Sequence, residues 1–208
     1  MKIIKPSYVI LDTVNEERIV QSITRAGRIC YKSEKPFELE EGRQFIIDRI
    51  KGGHESIIEH EKVTVKVICD RGVSHEVVRH RIASYSQSST RYCNYSKAQF
   101  GNEITVIKPC FFEEGTKPYE LWSNAIKLSE EFYFHLLKAG AQAQEARSVL
   151  PNSLMTEIIM TMNLREWRHF FRLRASKAAH PQMREIAVPM CKEFKHLLPC
   201  FFFDINLE

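Results

Sequence analysis

With 208 residues, of which 44% are hydrophobic and 27% charged, the chain has the size and composition of one globular domain spanning residues 1–208. Thirty lysines and arginines against 26 acidic residues leave a formal charge of +4, which is too mild for a dedicated nucleic-acid binder and favours a small anionic partner. The N-terminus has no signal-peptide pattern, and no apolar run approaches the roughly 20 residues of a membrane span. We therefore expect a cytoplasmic protein without membrane or nucleic-acid partners.

Hydrophobic periodicity along the chain predicts helices and strands in mixed order. Residues 62–70 alternate like a strand, with Val63, Val65 and Val67 on one face. Helices are predicted at residues 15–31, 38–53, 71–81, 121–140, 144–151, 164–176 and 181–198, and strand-like runs at residues 7–13, 62–70 and 153–163. Because this order is not that of alternating βαβ units, it predicts an α+β fold in which helices flank a mixed or antiparallel sheet.

The segment RHRIASYSQSSTRY, residues 79–92, joins basic groups to a run of hydroxyls without one glycine. Guanidinium groups match carboxylate and phosphate oxygens, and serine and threonine add short donors that rotate to suit an acceptor. We expect the segment, after the predicted helix, to be a turn or a short strand. Its composition indicates a site for an anion with several oxygens, although a solvated basic face would have the same composition.

The segment HESIIEH invites comparison with a metal site because it holds two histidines and two glutamates. His54 and His60 lie six positions apart, however, whereas helical zinc ligands are four apart and share a face. A turn whose side chains bond to the backbone is the stronger interpretation, and we expect no metal there.

A third informative segment is the predicted helix at residues 164–176. Leu164, Trp167, Phe170 and Phe171 fall on one arc of a helical wheel, and Arg165, Arg168, His169 and Arg172 on another. Arg174 breaks this pattern because it falls in the middle of the apolar arc. An unpaired charge there costs several kcal/mol, so Arg174 needs a partner, either a protein group or a ligand.

Together these segments resemble the flavin-dependent thymidylate synthases. Arg79, His80, Arg81, Ser84, Ser89, Arg91 and Tyr92 match the family's RHR, Ser and Ser-x-Arg-Tyr signature in register. GHESIIEH is similar to the family's Gly-His-Glu-Ser/Thr motif, NLREWRHFFRLR to its Asn-x-Arg helix, and Arg147 falls on a substrate position. Four separated motifs in the right order cover about residues 50 to 190.

The resemblance implies a homotetrameric enzyme, with active sites shared between subunits, that methylates dUMP to dTMP. The methylene would come from 5,10-methylenetetrahydrofolate, and the reducing equivalents from NADPH through bound FAD. The chain has eight glycines and neither a GxGxxG nor a P-loop pattern, so arginine and hydroxyl donors would have to hold the phosphates.

The family's site residues transfer to this sequence position by position. Contacts to FAD are implied for His54, Ser56, Arg79, His80, Arg81, Gln87, Asn163, Arg165 and His169. Contacts to dUMP are implied for Glu76, Arg79, Gln87, Ser88, Ser89, Thr90, Arg91, Arg147 and Arg174. Arg174 would polarise the pyrimidine imide as the catalytic residue, so no cysteine nucleophile is required.

One departure from the family pattern is the pair Ser86-Gln87, where some members carry Asn-Glu. Glutamine keeps a donor and an acceptor but removes a carboxylate beside the pyrimidine. Two other function classes stay open at this point: a metal-dependent nucleotide phosphohydrolase built on His54, Glu55 and His60, and an RNA-binding module that uses the arginines as a phosphate track.

Overall fold

A computed structural model describes residues 1–30, 32–33, 35–98 and 101–207. The strands are β1 (Lys2–Ile4), β2 (Ser7–Ile10), β3 (Lys62–Asp70), β4 (Ala83–Gln87), β5 (Thr105–Ile107) and β6 (Met155–Asn163). The helices are α1 (Glu16–Ile29), α2 (Leu39–Lys51), α3 (Arg71–Val77), α4 (Lys117–Lys138), α5 (Ala143–Ala146), α6 (Leu164–Arg174), α7 (Pro181–Leu197) and α8 (Pro199–Phe202). Short 3-10 helices occupy Glu55–His60 and Arg147–Val149. The predicted α+β class is confirmed.

Four strands form a sheet in the order β2-β3-β6-β4, and β1 pairs with β5 in parallel. Leu164 N bonds to Glu61 O, and Arg71 N bonds to Leu154 O, so residue numbers rise along β3 as they fall along β6. This pairing is antiparallel. The predicted alternation of β3 is confirmed, because Val63, Val65 and Val67 are all buried.

Contacts within the chain divide the molecule into two compact units, whose boundaries fall within β2, β3, β4 and β6 and between α3 and β4. Unit 1 comprises Met1–Ser7, Val67–Arg79 and Ser86–Ile159; unit 2 comprises Tyr8–Lys66, His80–Tyr85 and Met160–Glu208. The expectation of one domain over residues 1–208 stays a prediction.

Unit 1 has a core of Ile104, Val106, Ile126 and Leu154, against which α4 packs. Unit 2 has an aromatic core: the ring of Trp167 lies 4.8 Å from Phe194 and 5.5 Å from Phe171, measured between centroids. Trp167 also donates its indole N–H to Val63 O at 3.0 Å, which ties α6 to β3. Among the described residues, no helix is long and apolar enough to cross a membrane.

Several predicted boundaries differ from the observed ones. The helix expected to reach Arg81 ends at Val77, and residues 78–82 connect it to β4. Of the two structures expected after RHR, a turn or a short strand, the strand is observed. The helix expected at 121–140 begins at Lys117, with a proline in its first turn. The first predicted helix ends at Ile29, and Tyr31 lies outside the described residues.

Candidate active site

The residues implied for substrate and cofactor separate between the two units. Unit 1 holds the residues implied for dUMP other than Arg174: Glu76, Arg79, Gln87, Ser88, Ser89, Thr90, Arg91 and Arg147. Unit 2 holds Arg174 and most of those implied for FAD: His54, Ser56, His80, Arg81, Asn163, Arg165 and His169.

In unit 1 a hydroxyl network orients Gln87 at the end of β4. Its Nε2 donates to Ser74 Oγ and to Thr156 Oγ1, each at 3.0 Å. Ser74 gives its own proton to Arg71 O at 2.9 Å, so toward Gln87 it acts only as an acceptor. This fixes the amide nitrogen inward and leaves the amide oxygen, Oε1, as the acceptor that Gln87 offers to a ligand.

Hydrogen bonds also fix the hydroxyl side chains that follow β4, Ser88, Ser89 and Thr90. Ser88 Oγ lies 3.0 Å from Thr156 Oγ1 and accepts from Glu157 N at 3.2 Å. Ser89 Oγ accepts from Arg91 N at 3.2 Å, which makes a tight turn. Arg147 Nη1 donates to Thr90 Oγ1 at 3.3 Å. The packing of unit 1 therefore gathers Thr90 and Arg147, which are far apart in sequence.

In unit 2 three side chains form a hydrogen-bonded chain between the segment that precedes β4 and helix α6. His80 Nδ1 lies 2.9 Å from Glu166 Oε1, and Arg174 Nε donates to His80 Nε2 at 3.1 Å. Both His80 and Glu166 are buried. We name this set the Glu166–His80–Arg174 relay. It supplies the partner that the place of Arg174 on the apolar arc demanded.

The relay fixes where the His80 proton lies. Arg174 Nε can only donate, so Nε2 must be the unprotonated nitrogen and Nδ1 carries the proton toward Glu166. Burial lowers the pKa of His80, the charges of Arg174 and His169 lower it further, and Glu166 opposes them. The ring is therefore neutral near pH 7. Sequence reasoning missed Glu166, although its place four residues before Phe170, close to the apolar arc, was a usable signal.

The other residues implied for FAD have different surroundings. Exposed His54 and Ser56 lie at the start of the 3-10 helix, and Arg165 pairs with Glu59. Asn163 caps α6, because its side chain accepts from Glu166 N at 2.8 Å. His169 is exposed, and its ring lies 5.4 Å from that of His80 between centroids, edge to face.

One group of possible metal ligands occurs in the described part of the chain: His80, Glu166 and His169, whose ligand atoms lie within 4.8 Å of one another. The Nδ1–H of His80 points to Glu166 and Nε2 accepts from Arg174, so neither nitrogen offers a lone pair to a metal without breaking the relay. In the segment that invited a metal interpretation, Glu55 bonds to Arg168 and Arg172.

Arg168 lies on the same arc of α6 as Arg165, His169 and Arg172, which are exposed, but it differs from them in burial. Its side chain is fully buried and bonds bidentately to Asp204 at 2.8 Å, to Glu55 at 3.1 Å and to Phe201 O. The chain after α8 folds back over this side of α6, which periodicity within one helix does not reveal. The predicted burial of Leu164, Trp167, Phe170 and Phe171 is confirmed.

Two groups of arginines in this protein differ in their partners. One set is neutralised by carboxylates and includes Arg18, Arg43, Arg165, Arg168 and Arg172. The exposed side chains of Arg79, Arg81, Arg91 and Arg147 make no ion pair within the described residues. Charge is thus left available where the sequence predicts phosphate binding.

Comparison with known proteins identifies the family to which this chain belongs. The family model described as "Thymidylate synthase complementing protein" matches residues 11–200. A flavin-dependent thymidylate synthase of Thermococcus onnurineus is 37% identical over 181 residues, covering 84% of this chain and 73% of the relative. One of Geobacter sulfurreducens is 36% identical over 190 residues, covering 88% and 80%. The chain belongs to the flavin-dependent thymidylate synthase family.

As a member of that family the chain is an enzyme, and the state of its six cysteines bears on its chemistry. Within the described residues, no disulfide joins any of the six cysteines. Burial raises the pKa of Cys69 and of Cys200 to about 12, and that of Cys191 to about 11. These three thiols stay protonated at neutral pH and are poor nucleophiles, in keeping with a thymidylate synthase that uses a flavin.

Proposed function

We propose that this protein methylates dUMP to dTMP, with 5,10-methylenetetrahydrofolate as the carbon donor and NADPH as the reductant, through bound FAD. The observation that carries the proposal is the set of arginines in the RHR signature and at position 147 that no carboxylate of the described residues neutralises. Two phosphorylated ligands need such groups, and the sequence offers no glycine-rich cradle as a substitute.

The unit 1 residues would hold dUMP. Arg91 and Arg147 present guanidinium groups to a phosphate, beside the hydroxyls of Ser89 and Thr90. The amide oxygen of Gln87 has no hydrogen-bond partner among the described residues, and as an acceptor it fits the N–H of a pyrimidine imide. Ser88 and Glu76 complete the proposed pocket.

The donor set of the RHR signature and of unit 2 fits a flavin dinucleotide. Arg79 and Arg81 are exposed and unpaired by carboxylates in the described residues, which suits a pyrophosphate, and His54, Ser56 and His169 add exposed donors. Gln87, His80, Asn163 and Arg165 remain proposed contacts. When bound, the flavin would pass the reducing equivalents of NADPH to the one-carbon unit.

Arg174 would act on the pyrimidine. The uracil ring must become electron-rich at its 5-carbon, and a guanidinium beside the imide stabilises the negative charge that develops there. A nearby neutral His80 leaves this positive charge uncancelled. Arg174 would therefore be the catalytic residue, and a covalent cysteine adduct is not required.

The test is the purified protein with dUMP, 5,10-methylenetetrahydrofolate and NADPH, with dTMP measured by chromatography. We expect a yellow protein whose flavin band bleaches with NADPH, and dTMP only when all three substrates are present. A colourless protein that hydrolyses nucleotides and loses that activity with a chelator would overturn the proposal in favour of a phosphohydrolase. Salt-sensitive RNA binding without turnover would favour the RNA-binding module.

We further propose a homotetramer in which each active site takes residues from more than one subunit. The support is the family resemblance, together with the spread of the candidate residues over many elements of the chain. Sedimentation of the purified protein measures the subunit number, and a stable monomer with full activity would exclude shared sites.

A further inference from the structure

The Glu166–His80–Arg174 relay contains a buried carboxylate for which neither substrate nor cofactor binding accounts. Glu166 is 8% exposed, and its carboxylate oxygen lies 2.9 Å from His80 Nδ1. Glu166 lies in the first turn of α6, which Asn163 caps, and the positive end of the helix dipole favours an ionised side chain there. A charged group is therefore held where it can act on His80.

Glu166 stabilises the tautomer of His80 that carries its proton on Nδ1. A carboxylate accepts and cannot donate, so it retains the proton on Nδ1 and leaves Nε2 with a lone pair. Without an acceptor at Nδ1 the proton could move to Nε2, and two donors would then face each other between His80 and Arg174. The 3.1 Å contact with Arg174 Nε depends on this choice.

The ring of His80 has little freedom to escape this arrangement. It is packed edge to face against Phe170, with centroids 5.0 Å apart, and Tyr85 donates its hydroxyl to the carbonyl oxygen of His80 at 2.7 Å. Its orientation is fixed by packing and its protonation by Glu166. Because Arg174 Nε donates to this immobile ring, the hydrogen bond fixes the orientation of the Arg174 guanidinium.

We propose that Glu166 is a positioning residue of the synthase, which acts through the tautomer of His80 to orient the guanidinium of Arg174 toward the pyrimidine. This inference rests on the proposed function for its effect on turnover, whereas the tautomer itself is independent of it. His80 likewise acts through Arg174 in this arrangement. The relay is comparable in logic to the carboxylate that holds a catalytic histidine in one tautomer.

The test compares Glu166→Gln with Glu166→Leu. Glutamine can still accept from Nδ1–H, whereas leucine leaves that buried donor without a partner. We expect Glu166→Leu to lower kcat/KM for dUMP by about tenfold to a hundredfold and Glu166→Gln by less than about threefold. Flavin content and the rate of flavin bleaching by NADPH should stay at the wild-type level in both variants.

Asp204→Leu is the matched control, because Asp204 also bonds to α6 but on the side of Arg168, away from His80. It should lower stability without changing the KM for dUMP. If Glu166→Leu retains wild-type kcat/KM, or if both Glu166 variants lose flavin in proportion to activity, Glu166 has a structural role and the proposal is wrong.

A second measurement separates this proposal from the proposed function. Nitrogen-15 NMR of histidine-labelled wild-type protein should show His80 with a proton on Nδ1, and Glu166→Leu should lose that signal pattern. A wild-type His80 protonated on Nε2 would overturn the positioning role even if dTMP is formed. If the wild-type protein shows the Nδ1–H tautomer but forms no dTMP, the proposed function fails and the orientation of Arg174 by His80 stands.

Discussion

Gln87 Nε2 donates a hydrogen bond to Ser74 Oγ at 3.0 Å, and the Ser74 hydroxyl in turn donates a hydrogen bond to Arg71 O. Ser74 is fully buried, so its hydroxyl must satisfy both neighbours with one proton. Glutamine meets this condition because it offers N–H groups. A glutamate, which some family members carry at this position, offers none. The glutamine of this chain and the hydroxyl network beneath it therefore belong together.

Replacing Gln87 with glutamate should destabilise the protein by about 1–3 kcal/mol, because two acceptors would compete for the single proton of Ser74. Urea unfolding measures the effect. Adding Ser74→Ala should recover part of the loss, since the alanine removes the hydroxyl for whose proton the two acceptors compete. Gln144→Glu is the control, because Gln144 is exposed and should change stability by less than about 0.5 kcal/mol. A Gln87→Glu variant as stable as the wild type would contradict the proposed proton arrangement.

Arg174→Ala should lower dUMP affinity and turnover by roughly ten- to a hundredfold, since one charge-assisted contact is removed. FAD should stay bound and NADPH should still bleach it. Arg174→Lys keeps the charge but loses both the planar fork and the Nε–H that His80 accepts, so it separates charge from geometry. Arg172→Ala, on the exposed side of the same helix, is the control. Loss of colour with unchanged dUMP affinity would make Arg174 a structural residue.

The acid limb of the pH profile should report on His80. Its pKa is lowered below the ordinary 6.5, mainly by burial, with Arg174 and His169 acting in the same direction, Glu166 in the opposite one, and Tyr85 packed beside it from β4. Protonation would place a second donor against Arg174 Nε. We expect kcat/KM to hold at pH 6.5 and to fall only below it.

The free energy of unfolding should also decrease as the pH falls below 6.5. Between the lowered pKa of folded His80 and 6.5, the unfolded chain binds more protons than the folded one, so the contribution of His80 to stability is complete above 6.5 and is lost as the pH falls. Histidine NMR titration identifies the group directly. A His80 that titrates above 6.5 would refute both expectations.

Sequence patterns were sufficient where local rules decide the structure. The alternation of β3 and the apolar arc of α6 were predictable, because burial follows the period of a strand or a helix. The length of α3 was not predictable, since pairing of β4 with β6 overrides the helical tendency before it.

In the candidate site too, residues set by local patterns were predictable and residues set by distant contacts were not. Arg174 could be singled out because a charge on an apolar arc contradicts its surroundings. The role of Glu166 depends on His80, 86 positions away in sequence, and no local pattern indicates that contact. The burial of Arg168 depends on Asp204, which follows the last helix, so only the folded chain reveals it.

Arg168 should be among the most important charged residues for stability. Its alanine variant would leave Glu55 and Asp204, both partly shielded from water, without their main counter-ion. Breaking a buried ion pair in this way costs about 3–5 kcal/mol. Arg18→Ala removes a pair of similar geometry whose arginine is 58% exposed, and should cost less than about 1 kcal/mol. Equal losses in urea unfolding would show that burial does not govern these pairs.

Sharing of the active site between subunits can be tested by complementation. Arg79 and Arg174 are each proposed to contact dUMP, and neither Arg79→Ala nor Arg174→Ala should form dTMP at a useful rate alone. If the two arginines of one site come from different chains, a mixed oligomer contains some sites in which both residues are intact, so activity should return after the two variants are unfolded and refolded together. Mixing without refolding is the control and should give no recovery. Mixed oligomers, verified by differently sized tags on the two chains, that stay inactive would mean that each subunit supplies both arginines to its own site.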